Sequence, residues 1–321
     1  MKVTLTPKIL ILMFATYFTI CSATLLTFFY FYSAGFFPIN QQEKHIEYVV
    51  KDSTLKRVEP MPIPTTLSFA GETVPLNDED VRERLDRELI HNSYKLSATL
   101  IILKREGRWK ALIQQILREN EVPEDFFYLA VAESELDVYA KSLVGAVGFW
   151  QFMPTTAKEY GLEISTQVDQ RRDVLLATQA TCKYLKDAYR KFGNWTLVAA
   201  SYNRGMSGMD KAVTGQKEKS YYDLYLNQET YRYVFRILAM KVIMQAPEKY
   251  GFHLADDEKY KPFATTSFEV KTTIEDLAAF AQKNNTTYHT LKKLNPWLDD
   301  NDTYKLVVSK EKYVIQLPSK E

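Results

Sequence analysis

The chain has 321 residues, of which 46% are hydrophobic and 25% are charged, a composition typical of globular proteins with room for roughly two domains. Lys and Arg number 41 against 40 Asp and Glu, and this net charge of +1 disfavours a nucleic-acid partner. Two distant cysteines exclude a disulfide framework, and the four scattered histidines show no metal-ligand spacing, so neither a metal nor a cofactor is predicted.

The first predicted element is a membrane segment near the amino terminus. Residues 9–42 carry no charge, and a helix over residues 9–31 would be roughly 35 Å long, enough for a bilayer core of about 30 Å. A cleaved signal peptide is the alternative, with Lys2 and Lys8 as its basic region, but its apolar region would be too long. We predict a short cytoplasmic tail at residues 1–8 and a transmembrane anchor at residues 9–32.

The next predicted element is a tether over residues 33–76. Proline alternates with other residues in Glu59-Pro60-Met61-Pro62-Ile63-Pro64, which forbids a helix and favours an extended polyproline conformation. We expect this segment to hold the rest of the chain away from the membrane.

A run of predicted helices follows the tether. Asn77 can cap a helix whose apolar residues Val81, Leu85 and Leu89 recur every four positions. Further helical patterns cover residues 108–120, 174–192 and 229–244, whereas strand alternation is almost absent from residue 77 to residue 254. The predicted fold class is therefore mainly α, with one helical domain over residues 77–258.

The last predicted elements form a small β-α-α-β domain over residues 267–318, after a connector at residues 259–266. Residues 268–271 and 313–317 alternate as strands do. Two short helical patterns, at residues 274–282 and 287–294, lie between these strands.

Glu133 is the first candidate for chemistry, because it ends the apolar run of residues 127–134. A glutamate withdrawn from water has a raised pKa and can hold a proton near neutral pH, as a general acid must. The alternative is a helix-end glutamate that reaches solvent.

The segment from residue 142 to residue 154 is the second candidate. It combines two glycines, the adjacent aromatic residues Phe149 and Trp150, and the amide of Gln151. Flat apolar faces beside neutral hydrogen-bonding groups suit a sugar, although aromatic residues alone are more often part of a core. A tyrosine and an asparagine in residues 200–205 form a second polar cluster, for which a capping turn is the alternative.

Several motifs in this order resemble the lytic murein transglycosylases related to goose-type lysozyme, and most closely the membrane-bound lytic murein transglycosylase D family. The motifs are Glu133-Ser134, the segment from Gly145 to Ala157, Tyr160-Gly161-Leu162, Asp169-x-Arg171-Arg172-Asp173, Ser201-Tyr202-Asn203-Arg204-Gly205 and Glu229-Thr230-x-x-Tyr233-Val234. The resemblance departs at Val138, where the family usually has proline, and at Ser201, where alanine is common.

The resemblance implies a lysozyme-like helical fold in which Glu133 is the sole catalytic acid and base. By the same matching, a set of further residues would line the substrate groove: Ser142, Gln151, Met153, Tyr202, Asn203 and Tyr233. The final unit resembles a LysM module that binds glycans containing N-acetylglucosamine, although Lys271-Thr272-Thr273-Ile274 replaces its usual Gly-Asp turn. Glycan binding and a purely structural cap on the helical domain both stay open for this unit.

The function implied is that of a peptidoglycan lytic transglycosylase. Such an enzyme cleaves the β-1,4 bond between N-acetylmuramic acid and N-acetylglucosamine and forms a 1,6-anhydro sugar. The expected partners are peptidoglycan strands and the inner membrane of a bacterial envelope, with the catalytic domain in the periplasm. The alternatives are a lysozyme-type hydrolase on the same fold, a non-catalytic peptidoglycan-binding anchor, and a helical scaffold with an unrelated partner.

Overall fold

The computed structural model describes residues 59–298, 304–309 and 311–319. The predicted tail, the predicted anchor and the first part of the predicted tether lie outside these residues. Within the described ranges, no helix is both long enough and apolar enough to cross a membrane.

The described residues form a short two-stranded sheet, a run of helices and a second two-stranded sheet with two short helices, which confirms the mainly helical fold class. In chain order the elements are β1 (Ser68–Phe69), β2 (Glu72–Thr73), α1 (Glu79–Tyr94), α2 (Leu96–Glu119), α3 (Phe127–Ser134), α4 (Pro154–Glu159), α5 (Val174–Phe192), α6 (Trp195–Arg204), α7 (Met206–Gln216), α8 (Gln228–Gln245), β3 (Thr265–Val270), α9 (Leu277–Lys283), α10 (Tyr288–Leu294) and β4 (Tyr313–Pro318).

Capping residues set several helix ends. Asp78, one residue later than the predicted Asn77, caps α1 and accepts a hydrogen bond from the backbone N–H of Val81 at 3.1 Å. Asp173 caps α5, which ends at Gly193 in a left-handed conformation with φ of 63°. Helix α5 therefore occupies the span that its pattern predicts, whereas α2 begins well before the predicted residue 108.

Helix α8 lies at the centre of the helical domain. Nearly every residue from Tyr233 to Met244 is buried, and the helix packs against α1, α3 and α6. Glu88 of α1 is buried and accepts hydrogen bonds from Arg232 of α8 at 2.6 and 3.1 Å. These contacts fix the position of α8 relative to α3, which carries Glu133.

Residues 59–76, assigned to the tether by sequence, pack against the helical domain. Phe69 is fully buried with its ring 5.2 Å from that of Phe126. The Glu72 carboxylate accepts hydrogen bonds from the first two backbone N–H groups of α6, at 2.6 and 2.9 Å. Apolar side chains interspersed with the prolines give this extended segment a face to bury, so the packed unit begins before residue 77.

The connector between the domains runs along α2. The backbone N–H of Tyr260 donates to the Lys104 carbonyl at 2.8 Å, and Arg108 Nε donates to the Lys261 carbonyl at 3.0 Å. Gly107 allows this close crossing, because a Cβ atom there would lie 2.7 Å from the Cβ atom of Lys259.

The C-terminal unit has the predicted β-α-α-β order. Strands β3 and β4 pair antiparallel from Thr265 opposite Pro318 to Val270 opposite Tyr313. Its core contains residues from both helices and from β4, and it also includes Val168 from the helical domain. The two domains therefore share buried apolar surface.

Candidate active site

Glu133 lies near the carboxyl end of α3 and is partly buried. Its Oε1 atom accepts a hydrogen bond from the hydroxyl of Tyr233, a buried residue of α8. Burial raises the pKa of Glu133 to about 7, although the hydrogen bond from Tyr233 acts in the opposite direction. Glu229 raises this pKa further, and Arg236 lowers it. Near neutral pH the carboxyl group can therefore both donate and accept a proton.

Tyr202 and Tyr233 supply neutral hydroxyl groups around Glu133. The Tyr202 hydroxyl donates to the Trp150 carbonyl at 2.7 Å. Burial and the nearby charge of Glu133 raise the pKa of both tyrosines well above the ordinary value, so both keep their protons at neutral pH. Two predicted groove residues thus lie in the electrostatic environment of Glu133.

The turn after Glu133 is held by Arg105 of α2 and by Lys95, which lies between α1 and α2. Glu135 and Leu136 both have left-handed backbones, with φ of 54° and 55°. Arg105 donates from Nη1 to the Glu135 carbonyl and from Nη2 to Asp137 Oδ2, both at 2.9 Å. Lys95 Nζ lies 3.3 Å from Glu135 Oε1. Both carboxylates that follow Glu133 in sequence are therefore ion-paired, a feature that sequence reasoning missed.

Residues 140–152 form a loop that carries Ser142 and Gln151, and we call it the groove loop because those two residues are predicted to line a substrate groove. Ser142 Oγ accepts from the backbone N–H of Ala146 at 2.9 Å. Gln151 Nε2 donates to the Gly148 carbonyl at 2.8 Å and to the Ala140 carbonyl at 3.2 Å. The two side chains thus shape the loop, while Met153, just after it, is exposed.

Asn203 connects the end of α6 to the start of α8. Its Oδ1 atom accepts a hydrogen bond from Thr230 Oγ1 at 2.8 Å, and Arg204 Nη1 lies 2.8 Å from Asn227 Oδ1. Asn203 therefore lies beside the helix that carries Tyr233. Tyr202, the preceding residue, joins this region to the groove loop through Trp150.

A buried ion pair that sequence reasoning left without a role supports the groove loop. Arg171 donates from Nη1 to the carbonyl groups of Gly145 and Phe152, at 2.8 and 3.1 Å. Its Nε and Nη2 atoms donate to the two carboxylate oxygens of Asp169, at 2.9 and 2.7 Å. The Asp169-x-Arg171 motif was the available signal, but its target carbonyl groups could not be read from the sequence.

Among the described residues, no group of three or more His, Cys, Asp or Glu could hold a metal ion.

Comparison with known proteins identifies the class of both domains. Residues 111–225 match the family model described as the transglycosylase SLT domain, and residues 266–321 match the soluble lytic transglycosylase C-terminal LysM-like domain. The chain thus carries a lysozyme-like SLT domain followed by a LysM-like domain, which confirms the resemblance predicted from its motifs. It is homologous to the membrane-bound lytic murein transglycosylase D of Escherichia coli K12, with 31% identity over 196 residues. That alignment covers 60% of this chain and 42% of the relative, so the chain spans less than half of the relative's length.

Two solved structures are also similar. An inactive mutant of the lytic transglycosylase Slt from Pseudomonas aeruginosa has 22% identity and a TM-score of 0.37, over 48% of this chain and 26% of that one. The 70 kDa soluble lytic transglycosylase from Escherichia coli has 19% identity and a TM-score of 0.39, over 58% of this chain and 34% of that one.

Proposed function

We propose that this protein is a peptidoglycan lytic transglycosylase in which Glu133 is the catalytic acid and base. The observation that carries the proposal is the partly buried Glu133 carboxyl group, with a pKa of about 7 and a hydrogen bond from Tyr233. The SLT domain match, which includes Glu133, and the homology to a lytic murein transglycosylase support it.

In the first step, protonated Glu133 donates its proton to the oxygen of the bond between N-acetylmuramic acid and N-acetylglucosamine. The 2-acetamido carbonyl of the muramic acid assists as the bond to C1 breaks. The leaving N-acetylglucosamine carries the donated proton on its 4-hydroxyl group. Glu133 is then an ionised carboxylate, the form that the Tyr233 hydrogen bond stabilises.

In the second step, the Glu133 carboxylate takes a proton from the 6-hydroxyl group of the same muramic acid. The 6-oxygen closes onto C1 and displaces the acetamido oxygen, giving a 1,6-anhydro sugar and restoring protonated Glu133. No water is consumed. The internal hydroxyl group competes well because it is already next to C1, a proximity effect that can contribute several kcal/mol.

The carboxylates around Glu133 support this reaction over a lysozyme-type hydrolysis. Most hydrolases of this kind use a second carboxylate as nucleophile or base. Asp137 is paired with Arg105, Glu135 with Lys95, and Glu229 with both Nη atoms of Arg236. Among the described residues, these neighbouring carboxylates are ion-paired and Glu133 is not, which suits a reaction in which the substrate supplies the nucleophile.

A catalytic role also explains the burial of Glu133 better than a role as a non-catalytic anchor does. A carboxylate in an apolar site costs free energy, and a surface that only binds glycan has no need of it. We assign the substrate groove to Tyr202 and Tyr233, which lie beside this carboxyl group, and, by the resemblance to the family, to four further residues: Ser142, Gln151, Met153 and Asn203. Their hydroxyl, amide and thioether groups are neutral, which suits an uncharged sugar backbone.

We place the enzyme in the bacterial envelope, with residues 9–32 as an inner-membrane anchor and the catalytic domain in the periplasm. The uncharged stretch at residues 9–42 supports this proposal, and a cleaved signal peptide is the alternative. In either case the catalytic domain lies in the same compartment as the peptidoglycan layer.

Mass spectrometry of muropeptides tests the reaction. We would digest purified sacculi with the chain from Glu59 onwards, because residues 59–76 pack against the helical domain. Lytic cleavage should release muropeptides about 20 Da lighter than the reduced hydrolytic products, from one missing water and the two hydrogens that reduction adds. Glu133→Gln is the control and should release neither product. Muropeptides with ordinary reducing ends would show instead that the enzyme is a hydrolase.

A further inference from the structure

We propose that the C-terminal LysM-like unit supports the groove loop, acting through the buried Asp169–Arg171 pair to hold that loop ready for substrate. This inference rests on the proposed function, because it gives the C-terminal unit a role at the same site. It assigns the unit a positioning role in addition to, or in place of, glycan binding.

The docking segment, residues 163–169 of the helical domain, joins the C-terminal unit. Val168 is buried in the core of that unit and forms an isolated β-bridge with Leu298. The backbone N–H of Asp169 donates to the Trp297 carbonyl at 2.8 Å. A residue of the helical domain thus completes the core of the C-terminal unit.

Polar contacts around Val168 fix the orientation of the docking segment. Glu163 Oε1 accepts from the Tyr313 hydroxyl at 2.8 Å and from Ser309 Oγ at 3.2 Å. Gln167 Oε1 accepts from the backbone N–H of Val307 at 3.0 Å. Backbone and side-chain bonds therefore surround an apolar centre, as in a specific interface.

Asp169 and Arg171 connect the docking segment to the groove loop. The hydrogen bond from its backbone N–H to the Trp297 carbonyl positions Asp169. Both carboxylate oxygens of Asp169 accept hydrogen bonds from the guanidinium group of Arg171. Both residues are buried. Arg171 in turn donates to the Gly145 and Phe152 carbonyl groups, one within the groove loop and one at its end.

A direct backbone contact also joins Arg171, two residues after the docking segment, to the groove loop. A Cβ atom at Gly148 would lie 2.1 Å from the Arg171 carbonyl oxygen, so the two backbones touch. The loop also exposes Leu143 and Val144, which do not anchor it. Its described anchors therefore include Arg171, whose position depends on Asp169 and hence on the C-terminal unit.

The test uses two variants that weaken docking and one control. Val168→Asn puts a polar group into the shared core, and Tyr313→Phe removes one hydroxyl from the edge of the interface. Phe268→Ser is the control, because Phe268 is exposed on β3. The readouts are the rate of limited proteolysis within residues 143–144 and the KM for a peptidoglycan tetrasaccharide, compared with the KM for long glycan strands.

If the C-terminal unit supports the loop, Val168→Asn should raise both the proteolysis rate and the tetrasaccharide KM by about tenfold or more, since small displacements of a positioned site are costly. Tyr313→Phe should raise the proteolysis rate and the tetrasaccharide KM as well, but by a smaller factor. If Val168→Asn fails to fold, Tyr313→Phe decides the test. Phe268→Ser should leave both unchanged.

Unchanged loop proteolysis and unchanged tetrasaccharide KM in folded docking variants would overturn the proposal. A loss seen only with long glycan strands would also overturn it and would point to glycan binding alone. Limited proteolysis does not depend on catalysis, so it separates the two proposals. If the docking variants show faster loop proteolysis but the protein makes no anhydro product, the proposed function is contradicted and the supporting role stands.

Discussion

The role proposed for Glu133 combines two requirements that conflict at a single carboxyl group. As an acid it must keep a proton near neutral pH, and as a base it must then tolerate a negative charge. Burial favours the protonated form, and the hydrogen bond from Tyr233 favours the ionised form. A pKa of about 7 is the balance between these two effects.

Replacement of Tyr233 by phenylalanine should shift this balance. Without the hydroxyl group the carboxylate loses a stabilising hydrogen bond, so the pKa of Glu133 should rise and the alkaline limb of the kcat profile should move up by about one pH unit. The overall rate should also fall, since the second step needs the carboxylate. Kinetics from pH 5 to pH 10 would check this, with Tyr94→Phe as a control on α1. An alkaline limb that moves to lower pH would contradict the proposed effect of the Tyr233 hydrogen bond on Glu133.

Replacement of Glu133 by glutamine should make the protein more stable at high pH. The raised pKa means that folding disfavours the carboxylate, so the wild type loses stability as pH rises from about 4.5, the ordinary value, to about 7. The full difference corresponds to roughly 3 kcal/mol. Chemical denaturation should show Glu133→Gln more stable than the wild type at pH 8 and equal to it at pH 4. Equal stability at both values would mean that Glu133 is not withdrawn from water.

At the scale of the elements, the site depends on segments that carry none of its reactive groups. Helix α2 supplies Arg105 to the turn after Glu133, and α1 holds α8 through Glu88 and Arg232. The groove loop depends on Gly148, where a positive φ of 81° coincides with the contact to Arg171.

The two glycines of the groove loop should differ sharply when replaced by alanine. Gly145 has φ of 91° and no atom within 4 Å of a built Cβ, so Gly145→Ala should cost only backbone strain, about 1–2 kcal/mol. Gly148→Ala adds a clash with the Arg171 carbonyl and should cost about 3 kcal/mol or more. Denaturant titration of both variants measures the difference. Similar losses of stability would argue against close contact at Gly148.

Removal of the Glu88 carboxylate should destabilise the helical domain. Glu88→Ala leaves a hole between α1 and α8 and strips Arg232 of its partner, which should cost about 3–5 kcal/mol. Glu121→Ala breaks an exposed ion pair with Lys186 and should cost about 1 kcal/mol or less. Thermal unfolding compares the two. An equally small effect at Glu88 would show that α8 is held by apolar packing alone.

At the scale of the whole molecule, the two domains are tied together at two separate places. The connector runs along α2 at Gly107, and the docking segment enters the C-terminal core through Val168. A flexible tether between a catalytic domain and a binding module would need neither contact. In the described part of the chain, these contacts join the helical domain to the C-terminal unit.

The proposed anchor gives a prediction for the complete chain. If residues 9–32 stay in the bilayer, the mature protein should keep its amino terminus and fractionate with membranes even in high salt, because a long apolar helix holds far more tightly than surface charge. Amino-terminal sequencing and salt extraction measure both properties. A mature start near Gly35 with a salt-soluble protein would replace the anchor by a cleaved signal peptide.

The sequence by itself determined the features that depend on near neighbours along the chain. Helix α5 follows from Asp173, a repeating apolar pattern and Gly193, which all act within a few residues. The C-terminal β-α-α-β order follows from short local patterns in the same way. Glu133 was predictable as a candidate because its apolar surroundings are adjacent in sequence.

Only the tertiary structure decided the contacts that join distant segments. Tyr233 lies 100 residues from Glu133, and Arg105 meets Asp137 across 32 residues. Residues 59–76 were predicted as a tether because proline patterns report backbone conformation, whereas the burial of Phe69 depends on a surface formed elsewhere in the chain. The pKa of Glu133 and the support of the groove loop by Arg171 are of this second kind, since burial and charge neighbours exist only after the chain has folded.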